Sequence, residues 1–259
     1  MRIVIVGASG LIGSELKAMF ASLGHEVVPV DRKYFKLNIH DFKELFRDAD
    51  VLINLAGAPI IKRWTSAYKK KLYKSRIDTT DKIFTAFKLL KHRPSLYLAA
   101  SAIGIYNNND EYHTEQSEQF ANDFAGKLVQ DWEMSSLQFS GLHNVRTIIM
   151  RLGVVLSNNG GAFPKMVRPY KIGLGGRIGN GRQAFSFIHI DDLKKAILLF
   201  IENKTMSGVF NLTAPETINN KEFSKALGKA LKRPSFFIVP KFILRLFLGK
   251  ASGIIINVP

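Results

Sequence analysis

The hydrophobic positions change period repeatedly along the chain. RIVIV (2–6) is a continuous β-branched run, the pattern of a strand buried on both faces. From Leu11 the period becomes helical, through Ile12, Leu16, Met19, Phe20 and Leu23, with Gly24 as a stop. HEVVPVD (25–31) predicts a second strand and KLNI (36–39) a short third one. DFKELFRDAD (41–50) predicts a helix, VLINLAG (51–57) a strand, 65–91 a long helical stretch and SLYLAAS (95–101) a strand. After an acidic loop, a helix near 120–138 leads into the apolar run VRTIIMRLG (145–153). Strands alternating with helices predict an α/β fold, a doubly wound parallel sheet covered on both faces. From about residue 152 the pattern loosens and glycine rises (GLGGRIGNG, 173–181), which predicts a smaller lobe on the C-terminal edge of the sheet. The expected division is 1–151 for the sheet domain and 152–259 for the lobe.

Composition narrows the class. With 259 residues, 46% apolar and 22% charged, the chain can bury a sizeable core. It has no cysteine, which excludes a disulfide framework and cysteine-based metal sites or nucleophiles and is compatible with the cytosol. No His, Asp or Glu cluster has metal-ligand spacing, so no metal is expected. The N-terminal apolar run is too short for a signal peptide. The longest apolar candidate, FFIVPKFILRLFLG (236–249), is interrupted by Pro240, Lys241 and Arg245, so no transmembrane segment is expected. A net charge of +16 is concentrated in KRWTSAYKKKLYKSR (62–76), which holds seven basic residues and no acid. That is read as a solvated surface; nucleic acid or an anionic membrane is suggested by charge alone.

The glycines carry the first chemical signal. Gly7, Gly10 and Gly13 fall between the first strand and the first helix. Such a turn lets backbone amides approach a ligand, and the helix N-terminus adds unpaired N–H groups and partial positive charge. The stretch Gly7, Ser9, Gly10, Leu11, Ile12 and Gly13 is therefore a candidate cradle for a dinucleotide's pyrophosphate. Asp31, at the end of the second strand, stands where a carboxylate would accept the adenosine ribose hydroxyls, which favours NAD. Arg32 follows directly and could hold the 2′-phosphate of NADP, so NAD or NADP is expected, with NAD preferred.

VGASGLIG (6–13), NLAG (54–57), SAIGIY (101–106), RLG (151–153) and FIHIDD (187–192) occur in that order. In these motifs the chain resembles the extended short-chain dehydrogenase/reductase superfamily, the NAD-dependent epimerase/dehydratase relatives. It is most similar to a subgroup of epimerase-like oxidoreductases with no assigned substrate, through NLAGAPI…KRW (54–64), SRIDTT (75–80), DWE (131–133), GG (160–161) and GLGGRIGNGRQ (173–183). The resemblance implies a Rossmann-like dinucleotide-binding domain over 1–151 and a substrate lobe over 152–259. It places Leu55, Ala56 and Gly57 along the cofactor. It also implies an NAD(P)-dependent oxidoreductase or epimerase acting on a small molecule, a sugar nucleotide among the options, in the cytoplasm.

One family feature is missing. The resemblance leads one to expect Tyr-x-x-x-Lys with a serine, the tyrosinate taking a substrate proton. Lys127 stands in the lysine position, but four residues earlier is Asp123. The catalytic candidates are Ser101, Tyr106, Asp123 and Lys127. Three readings stay open: another group moves the proton, water or a cofactor hydroxyl does, or the chain is a dinucleotide-binding regulatory or inactive relative. Lys62, Arg63, Trp64 and Arg76 are candidates for an anionic or aromatic substrate. Arg182, next to Gln183, is a candidate in place of the arginine that relatives carry where Phe185 stands. Against the family pattern the lobe reads as shortened at its C-terminal end. KFILRLFLGKASGIIINV (241–258) would then lose its cover and could seek a partner subunit, as in a homo-oligomer, a membrane surface or an aggregate.

Overall fold

The computed structural model describes residues 1–108 and 111–256. The strands are β1 (Arg2–Val6), β2 (Glu26–Val30), β3 (Val51–Asn54), β4 (Leu96–Ala102), β5 (Arg146–Leu152), β6 (Val154–Leu156), β7 (Gly176–Ile178), β8 (Phe187–His189), β9 (Gly208–Leu212) and β10 (Phe237–Val239). The helices are α1 (Leu11–Ser22), α2 (Ile39–Glu44), α3 (Ser66–Lys74), α4 (Ile77–Lys88), α5 (Phe124–Leu137), α6 (Phe163–Lys171), α7 (Ile190–Glu202), α8 (Asn220–Leu231), α9 (Lys241–Leu248) and α10 (Gly253–Ile256). The main sheet has six strands in the order β2-β1-β3-β4-β5-β9, all parallel.

Both faces of this sheet are covered, and the alternation along β1 shows how. Ile3 and Ile5 pack with Leu16 and Phe20 of α1 and with Leu193, Ile197 and Phe200 of α7. Val4 and Val6 pack on the other face with Phe42 of α2 and Ile83, Ala86 and Phe87 of α4. This is the expected doubly wound, Rossmann-like α/β fold. The chain leaves β1 to one side for β2 and to the other for β3, so a crevice opens between them at the carboxyl ends.

Two local expectations change. KLNI (36–39) is not a strand. A 3₁₀ turn runs over Arg32–Lys36, and the Asn38 side chain accepts hydrogen bonds from the amides of His40 and Asp41, which starts α2. The helical stretch 65–91 is two helices. Ser75 interrupts it, its hydroxyl donating to the Leu72 carbonyl while accepting from the Ala58 amide.

Beyond residue 152 the chain divides its residues between two bodies. β6 pairs with β8, β7 pairs with β10, and α6 and α8 enclose a small core of Val167, Tyr170, Phe185, Phe223 and Leu227. β9 and α7 return to the main sheet, so the sheet domain takes its sixth strand and one covering helix from the C-terminal half. Helix α9 leaves Phe242, Leu246 and Phe247 exposed, whereas Ala251 and Ile256 beyond it are buried. The end of the 241–258 segment falls outside the described residues. Among the described residues no helix is long and apolar enough to cross a membrane.

Candidate functional site

A cleft of about 690 Å³ lies at the carboxyl ends of the strands, where the sheet's order reverses. Gly7, Gly10, Leu11, Ile12, Gly13 and Leu55 line one side, and Ser101, Tyr106 and Asp123 another. Ser9 is exposed beside the cradle, and Arg32 is exposed beyond it. Ala56 is half-buried and Gly57 exposed on the turn after β3. That turn is pinned from beneath. Asn54, fully buried, accepts from the Ala56 amide and donates to the Thr80 hydroxyl at 3.1 Å and the Tyr97 hydroxyl at 3.2 Å.

The three glycines differ in what they do. Gly7 has φ +83°, and a Cβ there would stand 3.0 Å from the Leu55 carbonyl. A Cβ on Gly13 would fall 2.5 Å from the Gly7 oxygen and 2.7 Å from Ala8 Cα. Both are demanded by the turn itself. Gly10 has ordinary extended geometry, and its Cβ would meet nothing nearer than 3.4 Å. Nothing in the protein requires a glycine there, yet it faces the cleft at the start of α1 with no side-chain cap over the helix amides. Space kept free at that point suits a group that approaches the backbone closely.

Asp31 follows β2, half-buried and outside the lining of the cleft, and its Oδ1 is buried without a hydrogen-bond partner among the described residues. A buried carboxylate oxygen left unmatched is unfavourable, and a pair of ribose hydroxyls would satisfy it. An open cradle and an orphaned acceptor therefore fit a dinucleotide.

The catalytic candidates separate. The Ser101 hydroxyl is buried at the cleft and donates to Oε1 of Glu133. Arg151 Nε donates to the same oxygen at 2.8 Å, and its NH2 group donates to Glu133 Oε2 at 2.7 Å. Arg151 NH1 reaches the Tyr106 hydroxyl at 2.7 Å. That hydroxyl also lies 2.8 Å from Asn211 Oδ1 and 2.9 Å from the Thr114 carbonyl. Burial works to lower the Arg151 guanidinium's pKa; the hydrogen bonds and charge of Glu133 outweigh it and raise it. Asp123 is the N-cap of α5, accepting from the Gly126 amide at 2.8 Å. Lys127 is exposed on the same helix, away from the cleft lining. Ser101 and Tyr106 thus meet through Glu133 and Arg151, and Lys127 does not join them. Glu133 and Arg151 were not singled out from the sequence as site residues. The signal for them was present: Glu133 falls among the apolar positions of α5, beside Trp132, and a buried carboxylate demands a partner.

The substrate candidates also divide. Arg76 lines the main cleft. Lys62 and Arg63 are exposed. Trp64 donates its indole N–H to the Ile60 carbonyl at 3.0 Å and packs edge-on against Phe124. Arg182 and Gln183 line a second cleft of about 330 Å³ with His113, Asn211 and Thr213. The two clefts share Ile103, Tyr106 and Asn108. Gln183 Nε2 donates to the Ile178 carbonyl at 3.2 Å, while its Oε1 is buried and unpartnered.

Comparison with known proteins agrees with the fold. The model of the NAD dependent epimerase/dehydratase family matches residues 3–213. An epimerase family protein of Staphylococcus saprophyticus is 38% identical over 266 residues, covering 98% of this chain and 89% of its own length. The crystal structure of human epimerase family protein SDR39U1 with NADPH is 29% identical, superposes with a TM-score of 0.88, and is matched over 98% of this chain and 88% of that one. A nucleoside-diphosphate sugar epimerase from Corynebacterium glutamicum is 28% identical with a TM-score of 0.76, over all of this chain and 58% of that one.

Proposed function

The chain belongs to the NAD dependent epimerase/dehydratase family, and from that premise we propose an NAD(P)-dependent oxidoreductase or epimerase-like enzyme. In this reading the dinucleotide lies in the larger cleft and a small, polar substrate enters from the smaller one. The observation that carries it is the pairing of the open Gly10 cradle with the orphaned Asp31 oxygen. Gly7, Gly10, Leu11, Ile12 and Gly13 would face the pyrophosphate, Asp31 the adenosine ribose, and Leu55–Gly57 the body of the cofactor. Asp31 favours NAD; NADPH in the human relative keeps NADP open.

When bound, the nicotinamide supplies hydride exchange. Proton handling falls to the protein, and Ser101 is the group best placed for it. Arg151 holds Glu133 as an acceptor, so Ser101 spends its only proton on Glu133 and presents lone pairs to the cleft. A substrate hydroxyl can donate to Ser101 Oγ, and a proton taken there is matched by transfer of the Ser101 proton to Glu133. Tyr106 holds Arg151 from the other side and is a positioning residue here. Arg182 and the unpartnered Gln183 Oε1 suit a hydroxyl-rich substrate with a negative group, of which a sugar nucleotide is one kind.

A second reading, a dinucleotide-binding relative without turnover, is favoured by one observation. The Tyr106 hydroxyl is committed to three partners and Lys127 points to solvent, so no Tyr–Lys pair forms. Thermal unfolding with NAD, NADH, NADP and NADPH tests the dinucleotide binding that both readings share. Ligand at about 100 times its dissociation constant stabilises by about 2.7 kcal/mol, a shift of roughly 5–10 °C. A shift with at least one dinucleotide, lost in Gly10→Trp, is expected; no shift with any of the four overturns both readings.

A further inference from the structure

One stretch of the lobe turns large apolar side chains to solvent. Phe236, Phe237 and Ile238 are exposed at β10, and Phe242, Leu246 and Phe247 are 67%, 68% and 71% exposed on α9. Phe242 and Leu246 stand one turn apart, so α9 presents an apolar stripe outward, while Ile243, Leu244 and Leu248 are half-buried.

The charges around this stripe are all of one sign. The Lys241 stem lies against Gly179, where a Cβ would come within 2.7 Å of its Cε. Arg63 lies against Gly249, just past the other end of α9, where a Cβ would stand 3.5 Å from its Cγ. Arg245 and Lys250 are exposed between and beyond these two. Among the described residues none of these four cations takes part in an ion pair. No Asp or Glu occurs in 55–77 or in 223–259, the segments that carry them.

This combination selects among occupants. A second copy of the same face would bring four uncompensated cations against four others, which is repulsive. Nucleic acid would meet the charges but would leave the aliphatic Ile238 and Leu246 without a matching partner. An anionic surface with an apolar interior satisfies both sets of groups.

We propose that α9 and β10 form a docking surface for an anionic phospholipid membrane. Phe242, Leu246 and Phe247 enter the boundary between headgroups and acyl chains, and Arg63, Lys241, Arg245 and Lys250 meet lipid phosphates. The helix has 8 residues, too few to span a bilayer, so it lies in the plane of the interface and the attachment is reversible. None of these side chains lines the main cleft, so docking leaves that cleft unobstructed and does not depend on what it binds.

The test mixes the full chain with sedimentable vesicles of phosphatidylcholine, alone or with phosphatidylglycerol added, and measures the fraction pelleted. The parent should pellet with the anionic vesicles and not with the neutral ones, and added salt should weaken the binding. Phe242→Ser combined with Phe247→Ser should bind by about tenfold less or weaker still. Both side chains are exposed, so this variant should keep the parent's melting temperature. Arg245→Gln combined with Lys250→Gln should lose about fivefold for each charge removed. Met134→Ser, which replaces an exposed apolar residue on α5, should bind as the parent does. No binding to anionic vesicles, equal binding to neutral ones, or parent-like binding by the folded phenylalanine variant overturns the proposal. Should that variant not fold, parent-like binding by the charge variant overturns it. Dimerisation that the phenylalanine variant loses, without vesicle binding by the parent, assigns the face to a second copy and also overturns it. Vesicle binding of the expected kind by a parent that shows no thermal shift with any dinucleotide supports the docking surface while rejecting the cofactor reading.

Discussion

Ser101 and Glu133 are joined by a hydrogen bond from the serine hydroxyl to a carboxylate that Arg151 grips with two further bonds. The three groups are buried together, so their losses should differ sharply. Glu133→Gln leaves Arg151 buried without its counter-charge and should destabilise the fold by about 3–5 kcal/mol. Ser101→Ala removes one bond of several and should lower stability by about 1 kcal/mol. Urea unfolding of the two variants measures the difference; equal effects would contradict the clamp.

The cradle glycines should behave in opposite ways. Gly13→Ala forces a Cβ into the Gly7 oxygen and should destabilise by about 1–3 kcal/mol. Gly10→Ala has room, so its unfolding midpoint should stay near that of the parent while dinucleotide affinity falls. Denaturation curves and binding isotherms on both proteins check this; a large stability loss at Gly10 would remove the ligand argument for that position.

Asp31 should discriminate between the two cofactors. Its Oδ1 has no partner among the described residues, so Asp31→Ala should leave the unliganded protein about as stable as before. NAD affinity should fall by about tenfold or more, the value of a charged hydrogen bond, and NADP affinity should hold or improve. Titration with both nucleotides reads the outcome.

Asp123 and Lys127 should prove separable from the chemistry. Asp123→Ala removes the cap of α5 and should lower stability by about 1 kcal/mol. Lys127→Ala should change it by less than about 0.5 kcal/mol. Neither should alter dinucleotide binding; a marked loss with Lys127→Ala would revive the lysine as a site residue.

Burial pushes the Tyr97 hydroxyl up to about 12 from its ordinary value of 10.0. Between those values the folded state keeps a proton that the unfolded chain has lost, so stability falls as pH rises through the window. The loss attributable to this group is about 2–3 kcal/mol. Tyr97→Phe should lack it, and should be about 1 kcal/mol less stable near neutrality because the Asn54 amide loses an acceptor. Chemical unfolding across pH 9–12 on both proteins isolates the difference.

The sequence alone marked five of the six strands of the main sheet and the glycine turn after the first. Ile3 to Val6, the three glycines and Asp31 lie within one short β-α-β unit, where local period and backbone geometry decide the structure. Ser101 was marked by the family resemblance of SAIGIY (101–106). KLNI does not form the expected strand because an apolar-polar alternation of four residues cannot compete with the capping bonds of Asn38. The helical stretch from 65 to 91 is broken because a hydroxyl at Ser75 diverts the Leu72 carbonyl. What only the tertiary structure decided is which distant polar groups meet. Glu133 on α5 and Arg151 on β5 are joined, Asn211 comes from the sixth strand, and Arg76 has no carboxylate in an ion pair with it among the described residues. Those relations depend on the desolvation of charges brought together from far apart in the chain, and neither periodicity nor spacing along a sequence records how much water a folded cleft excludes.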